Sequence, residues 1–200
     1  NDDVAVEDSS YTTGRRGVAA TVIVEKIVGS LAETGGSLKE CKILGDKVNR
    51  NSGSMGVAFS SCTVPAAGKP TFKLGSDEME FGVGIHGEPG RRRDKVQPAQ
   101  EITNELLGAI IEDLKLENNG EILLFVNGMG GTPLTELYLL YDNAKKTLDN
   151  KNIKIARSLV GNYCTSLEMQ GASLTITKLD QELKKHWDSP VHTAAMRWGL

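Results

Sequence analysis

Ile122-Leu123-Leu124-Phe125-Val126 is a run of five apolar residues with no polar position to turn toward water. Asn118-Asn119-Gly120 precedes it and Asn127-Gly128 follows, both turn-forming, so the run has the length of a strand rather than of a helix. A strand that is apolar on both faces has to be covered on both faces, as the central strand of a sheet packed between other layers is.

The other periodicities supply the cover. Val18, Val22, Ile23, Ile27, Val28 and Leu31 recur at three- and four-residue steps, which predicts a helix from Gly14 to the Thr34-Gly35-Gly36 stop. Ser37 with Glu40 three residues on is a capping box, opening a second helix whose buried stripe is Leu38, Cys41, Leu44 and Val48. A third helix spans Pro98 to Leu116, with Ile102, Leu106, Ile110 and Leu114 on one face. A fourth runs from Leu134 to Asp149 and a short fifth from Asp180 to Trp187. Strands are predicted over Ser54–Val64, Lys154–Val160 and Ala172–Leu179, and where Met79, Phe81, Val83 and Ile85 alternate with polar residues and glycine. The Pro/Gly/Lys loop Pro65–Gly75 makes the first of these and the Met79 strand an antiparallel pair. Asn1–Thr13, polar and acidic, reads as an inter-domain link, and Ser189–Leu200 as an irregular tail. The fold class that follows is α+β with α/β-type layers: a mixed β-sheet packed against helices.

Bulk properties exclude several functions. A length of 200 residues suits one domain with one core, and a net charge of -3 gives no electrostatic footprint for nucleic acid or an anionic membrane. Cys41, Cys62 and Cys164 are odd in number, widely spaced and lack metal-ligand spacing, so they read as reduced thiols with neither disulfide nor structural zinc. No apolar run has the length of a membrane span, and the expectation is a cytoplasmic protein. A chain opening on Asn1-Asp2-Asp3 reads as cut from something longer, with an upstream domain expected.

The stretch most suited to chemistry is Met79–Gly90, MEFGVGIHGEPG. Its alternation sends His86 to the face opposite the buried one, at the end of the strand, with Gly84, Gly87 and Gly90 clearing space around the imidazole. Pro89 fixes the backbone just beyond. On spacing alone a lone histidine at a strand end is as readily a turn or capping residue, so both readings stand. Three other features carry weaker signals. Ser60 and Ser61 lack the G-x-S-x-G frame of a hydrolase nucleophile. Arg91-Arg92-Arg93 beside Asp94 and Lys95 reads as a solvated loop rather than an anion site. The glycine-rich turn Asn127–Pro133 lacks the lysine and Ser/Thr of a phosphate-binding loop and reads as a packing turn or domain contact. Among the other histidines, His186 on an amphipathic turn and His192 in the tail read as structural or solvated.

Taken together with Asn1-Asp2-Asp3-Val4-Ala5-Val6-Glu7-Asp8-Ser9 and Gly14-Arg15-Arg16-Gly17, the GIHGEPG segment closely resembles the substrate-binding subunit of dihydroxyacetone kinase. The likeness runs from end to end. It includes Ser60-Ser61-Cys62-Thr63-Val64-Pro65-Ala66-Ala67-Gly68-Lys69-Pro70, Thr132-Pro133-Leu134-Thr135-Glu136-Leu137-Tyr138 and Cys164-Thr165-Ser166-Leu167-Glu168-Met169. Several long signatures in one order are more specific than any single motif. The resemblance implies that His86 is the catalytic and substrate-binding residue, its Nε2 adding to the ketone carbon of dihydroxyacetone to give a hemiaminal. It implies a phosphoryl donor held elsewhere: ATP or ADP with magnesium on a nucleotide-binding partner subunit, in many bacteria recharged by a phosphoenolpyruvate-dependent relay. No cofactor or metal is expected on this chain, and a homodimer is the family's habit.

By the same resemblance residues 1–200 are the second, carboxy-terminal domain, and the family's acid/base lysine and aspartate and a GHEP-containing loop lie in an amino-terminal domain absent here. The fragment is therefore expected to be inactive alone. One departure stands out: Arg91 occupies a position where the family usually has an aliphatic residue. Two functions remain open, a kinase substrate subunit and a paralogue that senses dihydroxyacetone and acts as a transcriptional co-activator.

Overall fold

The computed structural model describes residues 1–6, 14–86, 88 and 90–199; the expectations for Gly87, Pro89 and residues 7–13 lie outside them. Its centre is a mixed sheet of six strands: β1 (Ser52–Ala58), β2 (Glu78–Phe81), β3 (Arg92–Lys95), β4 (Glu121–Gly128), β5 (Lys154–Gly161) and β6 (Gly171–Lys178). Their order across the sheet is β3-β2-β1-β6-β4-β5, and only β4 and β5 run parallel. Helices α1 (Ala20–Glu33), α2 (Leu38–Arg50) and α5 (Gln181–Asp188) cover one face, and α3 (Ala99–Leu114) and α4 (Leu134–Asn150) the other.

The apolar run of β4 divides between these layers as its pleat requires. Ile122, Leu124 and Val126 enter the core with Leu106, Ile110 and Leu137, whereas Leu123 and Phe125 enter the one with Ile23, Val48 and Leu183. All five side chains are fully buried, each contributing about 1.5–3 kcal/mol relative to exposure. Strand β1, separated from β4 by β6, is buried throughout although five of its seven residues are small or polar. Ser52 and Ser54 hydroxyls meet those of Thr177 and Thr175 on β6 at 2.7 Å, so these buried polar groups are satisfied across the strand pair.

Several expectations are corrected. Residues 2–5 are part of the fold rather than a link: Asp2, Asp3, Val4 and Ala5 are buried, and the Val4 amide donates to the Ser54 carbonyl beside β1. The Asp2 carboxylate accepts from the Val18 and Ala20 amides, each at 2.9 Å, and so caps α1, which begins at Ala20 and not at Gly14. The capping box of α2 is present, but Leu38 is 87% exposed and only Leu44 and Val48 of its predicted stripe are buried. β1 ends at Ala58 because the Phe59 and Ser60 amides turn to the Gln170 carbonyl. Arg92–Lys95 forms the charged edge strand β3 instead of a solvated loop, a composition that blunts an open edge. The tail folds into a small hairpin, β7 (Val191–His192) with β8 (Arg197–Trp198).

Candidate functional site

His86 lies in the connection between β2 and β3, not at a strand end. β2 pairs with β1 at Val57 and Ala58 only, and stops at Phe81. Gly82 then takes a φ of 75° and places its amide on the Gly56 carbonyl at 2.7 Å. A Cβ at Gly82 would stand 2.7 Å from that of Ala5, so the chain passes tightly against the amino-terminal residues there. Val83 is still buried, but against Cys62, Met129 and Met169 rather than on the strand. The far end of the loop closes where the Arg91 amide donates to the Phe81 carbonyl at 2.7 Å and the Gly90 amide to Glu80 Oε1 at 2.9 Å.

Two arginines bind this loop to the amino-terminal residues. Arg16, buried, donates through Nη2 to the Gly82 carbonyl at 2.6 Å and pairs with Asp3 at 2.8 Å. Arg91 donates through Nε to the Ala5 carbonyl at 2.8 Å and through Nη2 to that of Val4. Arg91 therefore acts as a staple between the loop and residues 4–5.

On this frame the His86 side chain is 77% exposed. Its partner is Glu88: Oε1 stands 3.1 Å from His86 Nδ1, and Oε2 accepts the His86 backbone N–H at 3.0 Å. Burial works against ionisation of Glu88, but hydrogen bonds from its own amide and from the ring and amide of His86 outweigh it and hold the carboxyl below its ordinary range. Glu88 is the site residue that sequence reasoning missed. The signal available was the H-x-E spacing inside a glycine frame.

The other flagged segments converge on a scaffold at the adjoining end of the sheet. The Thr63 amide donates to Glu168 Oε1 at 2.8 Å and the Gln170 amide to Ser60 Oγ at 2.9 Å, so Ser60 is a structural acceptor rather than a nucleophile. Thr132 Oγ1 donates to the Gly171 carbonyl and accepts from its amide, both at 2.8 Å. The glycine-rich turn spends its amides internally: Met129 on Gly171, Gly130 on Asn162 Oδ1 and Gly131 on Met169. It is a packing turn. Cys41, Cys62 and Cys164 are free thiols. His186 Nδ1 lies 3.0 Å from Ser30 Oγ, and exposed His192 lines a groove of about 640 Å³ between α1 and the terminal hairpin, to which the His86 loop contributes nothing. Among the described residues no group of three or more His, Cys, Asp or Glu could hold a metal ion, and no helix is long and apolar enough to cross a membrane.

Comparison with known proteins places this geometry in context. The profile of the Dak1 domain matches residues 1–195. The dihydroxyacetone-binding subunit of a PTS-dependent dihydroxyacetone kinase from Listeria innocua is 50% identical over 182 residues, covering 91% of this chain and 55% of that protein. The corresponding subunit of the PEP-dependent kinase of Escherichia coli is 43% identical over 223 residues, covering 100% of this chain and 63% of its own length. Among solved structures, the dihydroxyacetone kinase operon co-activator Dha-DhaQ superposes with a TM-score of 0.86 at 33% identity, over 94% of this chain and 59% of that one. This chain thus spans less than two thirds of each.

Proposed function

The chain belongs to the Dak1 domain family, and from that premise we propose that it binds dihydroxyacetone covalently through His86 and presents it for phosphorylation by a separate phosphoryl-donor subunit. The observation that carries this reading is the His86 imidazole, 77% exposed on a loop fixed at both ends, with Nδ1 turned to Glu88 and, among the described residues, no partner on Nε2. A neutral imidazole nitrogen is a nucleophile near neutral pH. Its lone pair adds to the ketone carbon, the carbonyl oxygen takes up a proton from water as the ring gives up the one on its other nitrogen, and the neutral hemiaminal holds the three-carbon substrate with its terminal hydroxyls free. Glycerol has no carbonyl to trap, which gives selectivity without a large pocket.

Transfer to a terminal hydroxyl then depends on positioning and charge stabilisation. We assign the donor, ATP or recharged ADP with magnesium, to the partner subunit, and the acid/base lysine and aspartate to an amino-terminal domain outside residues 1–200. The working assembly is a dimer of such subunits.

A second reading is favoured by one observation, the superposition on a protein named as an operon co-activator. In that case the same histidine senses dihydroxyacetone without phosphoryl transfer. Intact mass with and without dihydroxyacetone, beside His86→Ala, tests the trap; assays with ATP and with a phosphoenolpyruvate relay then separate the readings. Product with either donor selects the kinase, and an adduct without product under both selects the sensor. No adduct in the unaltered protein removes both.

A further inference from the structure

We propose that Glu88 is a positioning residue for His86, holding the proton on Nδ1 so that the Nε2 lone pair points outward; the proposal rests on the reading of His86 as a ketone trap. Both Glu88 carboxylate oxygens face His86, one on the backbone amide at 3.0 Å and one on Nδ1 at 3.1 Å. A carboxylate has no proton to give, so the ring nitrogen that faces it is the one that carries hydrogen. Neutral imidazole in water favours hydrogen on Nε2, the opposite form, which would offer the ketone an N–H instead of a lone pair. The clasp inverts that preference.

The surroundings of Glu88 are built for this contact. A Cβ on Gly84 would lie 2.1 Å from Glu88 Oε2 and 2.9 Å from Arg16 Nη1, so the absence of a side chain there is what lets carboxylate and guanidinium approach the same point. Arg16 is in turn fixed by Asp3 and the Gly82 carbonyl. Hydrogen bonds from the Glu88 amide and from the ring and amide of His86 favour its ionised form, which is the form that can accept from the ring and the amide at once.

The same contact serves the reaction. As the Nε2–carbon bond forms, the carbonyl π pair moves onto oxygen, which takes a proton from water, and the ring becomes an imidazolium. Glu88 stabilises that cation through the Nδ1–H bond and passes the Nδ1 proton to solvent, replacing the one consumed. The balance is ketone plus imidazole giving a neutral hemiaminal, with no other reactant. Glu88 does not itself touch the substrate.

The test combines histidine ¹⁵N NMR with dihydroxyacetone binding, in the unaltered protein and in Glu88→Gln. An amide cannot accept on both sides: with its oxygen on the His86 N–H its NH₂ faces Nδ1, and the ring must switch. We expect Nδ1–H in the ligand-free protein, Nε2–H in Glu88→Gln, and binding weakened about 10- to 100-fold, by analogy with the loss of a carboxylate that orients a metal-bound histidine. Unchanged His186 and His192 signals show that the variant is folded. An Nε2–H ring in the unaltered protein, or an adduct equally tight in Glu88→Gln, overturns the role of Glu88. No adduct in the unaltered protein overturns instead the ketone reading on which it rests.

Discussion

Arg16 and Asp3 form an ion pair at 2.8 Å, buried where residues 2–5 meet the loop that carries His86. Burial holds the Asp3 carboxyl above its usual range, and the Arg16 charge offsets that only in part. Removing the guanidinium leaves a buried carboxylate and the Gly82 carbonyl without this donor. Arg16→Met is therefore expected to lower stability by about 3 kcal/mol at neutral pH. Because folding already favours the protonated Asp3, this group's contribution falls as pH rises through the window between its unfolded value and its raised folded one. The variant should be penalised more at pH 7 than at pH 4. Urea midpoints at the two values check this, and an equal penalty at both would contradict it.

Glu121 on β4 sits between Lys154 on β5 and Lys184 on α5, and hydrogen bonds from Lys154 and then Lys184 bring its carboxyl down to about 2. A depressed carboxyl contributes stability that is complete above its unfolded value, near 4.5, and is lost as pH falls toward 2. Glu121→Gln should flatten the fall in melting temperature over that window. Since the group is partly exposed, the effect should shrink in high salt.

Gly84→Ala places a methyl group 2.1 Å from the present position of Glu88 Oε2. The carboxylate has to leave, while the strands on either side of the loop keep their pairing. Dihydroxyacetone binding should fall at least as far as in Glu88→Gln, with the thermal midpoint moving by only a few degrees. A variant that binds normally would show that the clasp is dispensable.

Burial, with Asp2 and Glu25 nearby, pushes the Cys164 thiol up to about 11. Its thiolate fraction at pH 8 is then on the order of 0.1%, so alkylation by iodoacetamide should be far slower than for an ordinary thiol. Peptide mapping after a timed pulse measures this; rapid labelling of Cys164 would show that the environment is more open.

What could be read from the chain alone follows from what each residue type signals. The β4 run was legible because no residue in it has an alternative to burial. So were the Ser37–Glu40 capping box, whose two reciprocal bonds are local, and the β1–β2 pairing. The alternation beyond Phe81 misled, because Val83 remains buried after Gly82 has left the sheet, on Met129 and Met169. Asp2 and Asp3 looked like linker because periodicity counts apolar side chains, whereas these acids are buried as acceptors for backbone amides and Arg16. His86 could be singled out from its glycine frame. Its partner could not, since whether a carboxylate two residues on turns back depends on the space over Gly84, which only the folded loop defines.

The most direct measurement of the central claim is ¹³C NMR of the protein with dihydroxyacetone labelled at the ketone carbon. We expect a bound signal in the tetrahedral-carbon region, in exchange with free ketone, coupled to ¹⁵N when histidine is labelled and absent in His86→Ala. A bound signal that stays a ketone or hydrate without nitrogen coupling, or an adduct that persists in His86→Ala, would contradict the assignment of His86 as the ketone trap.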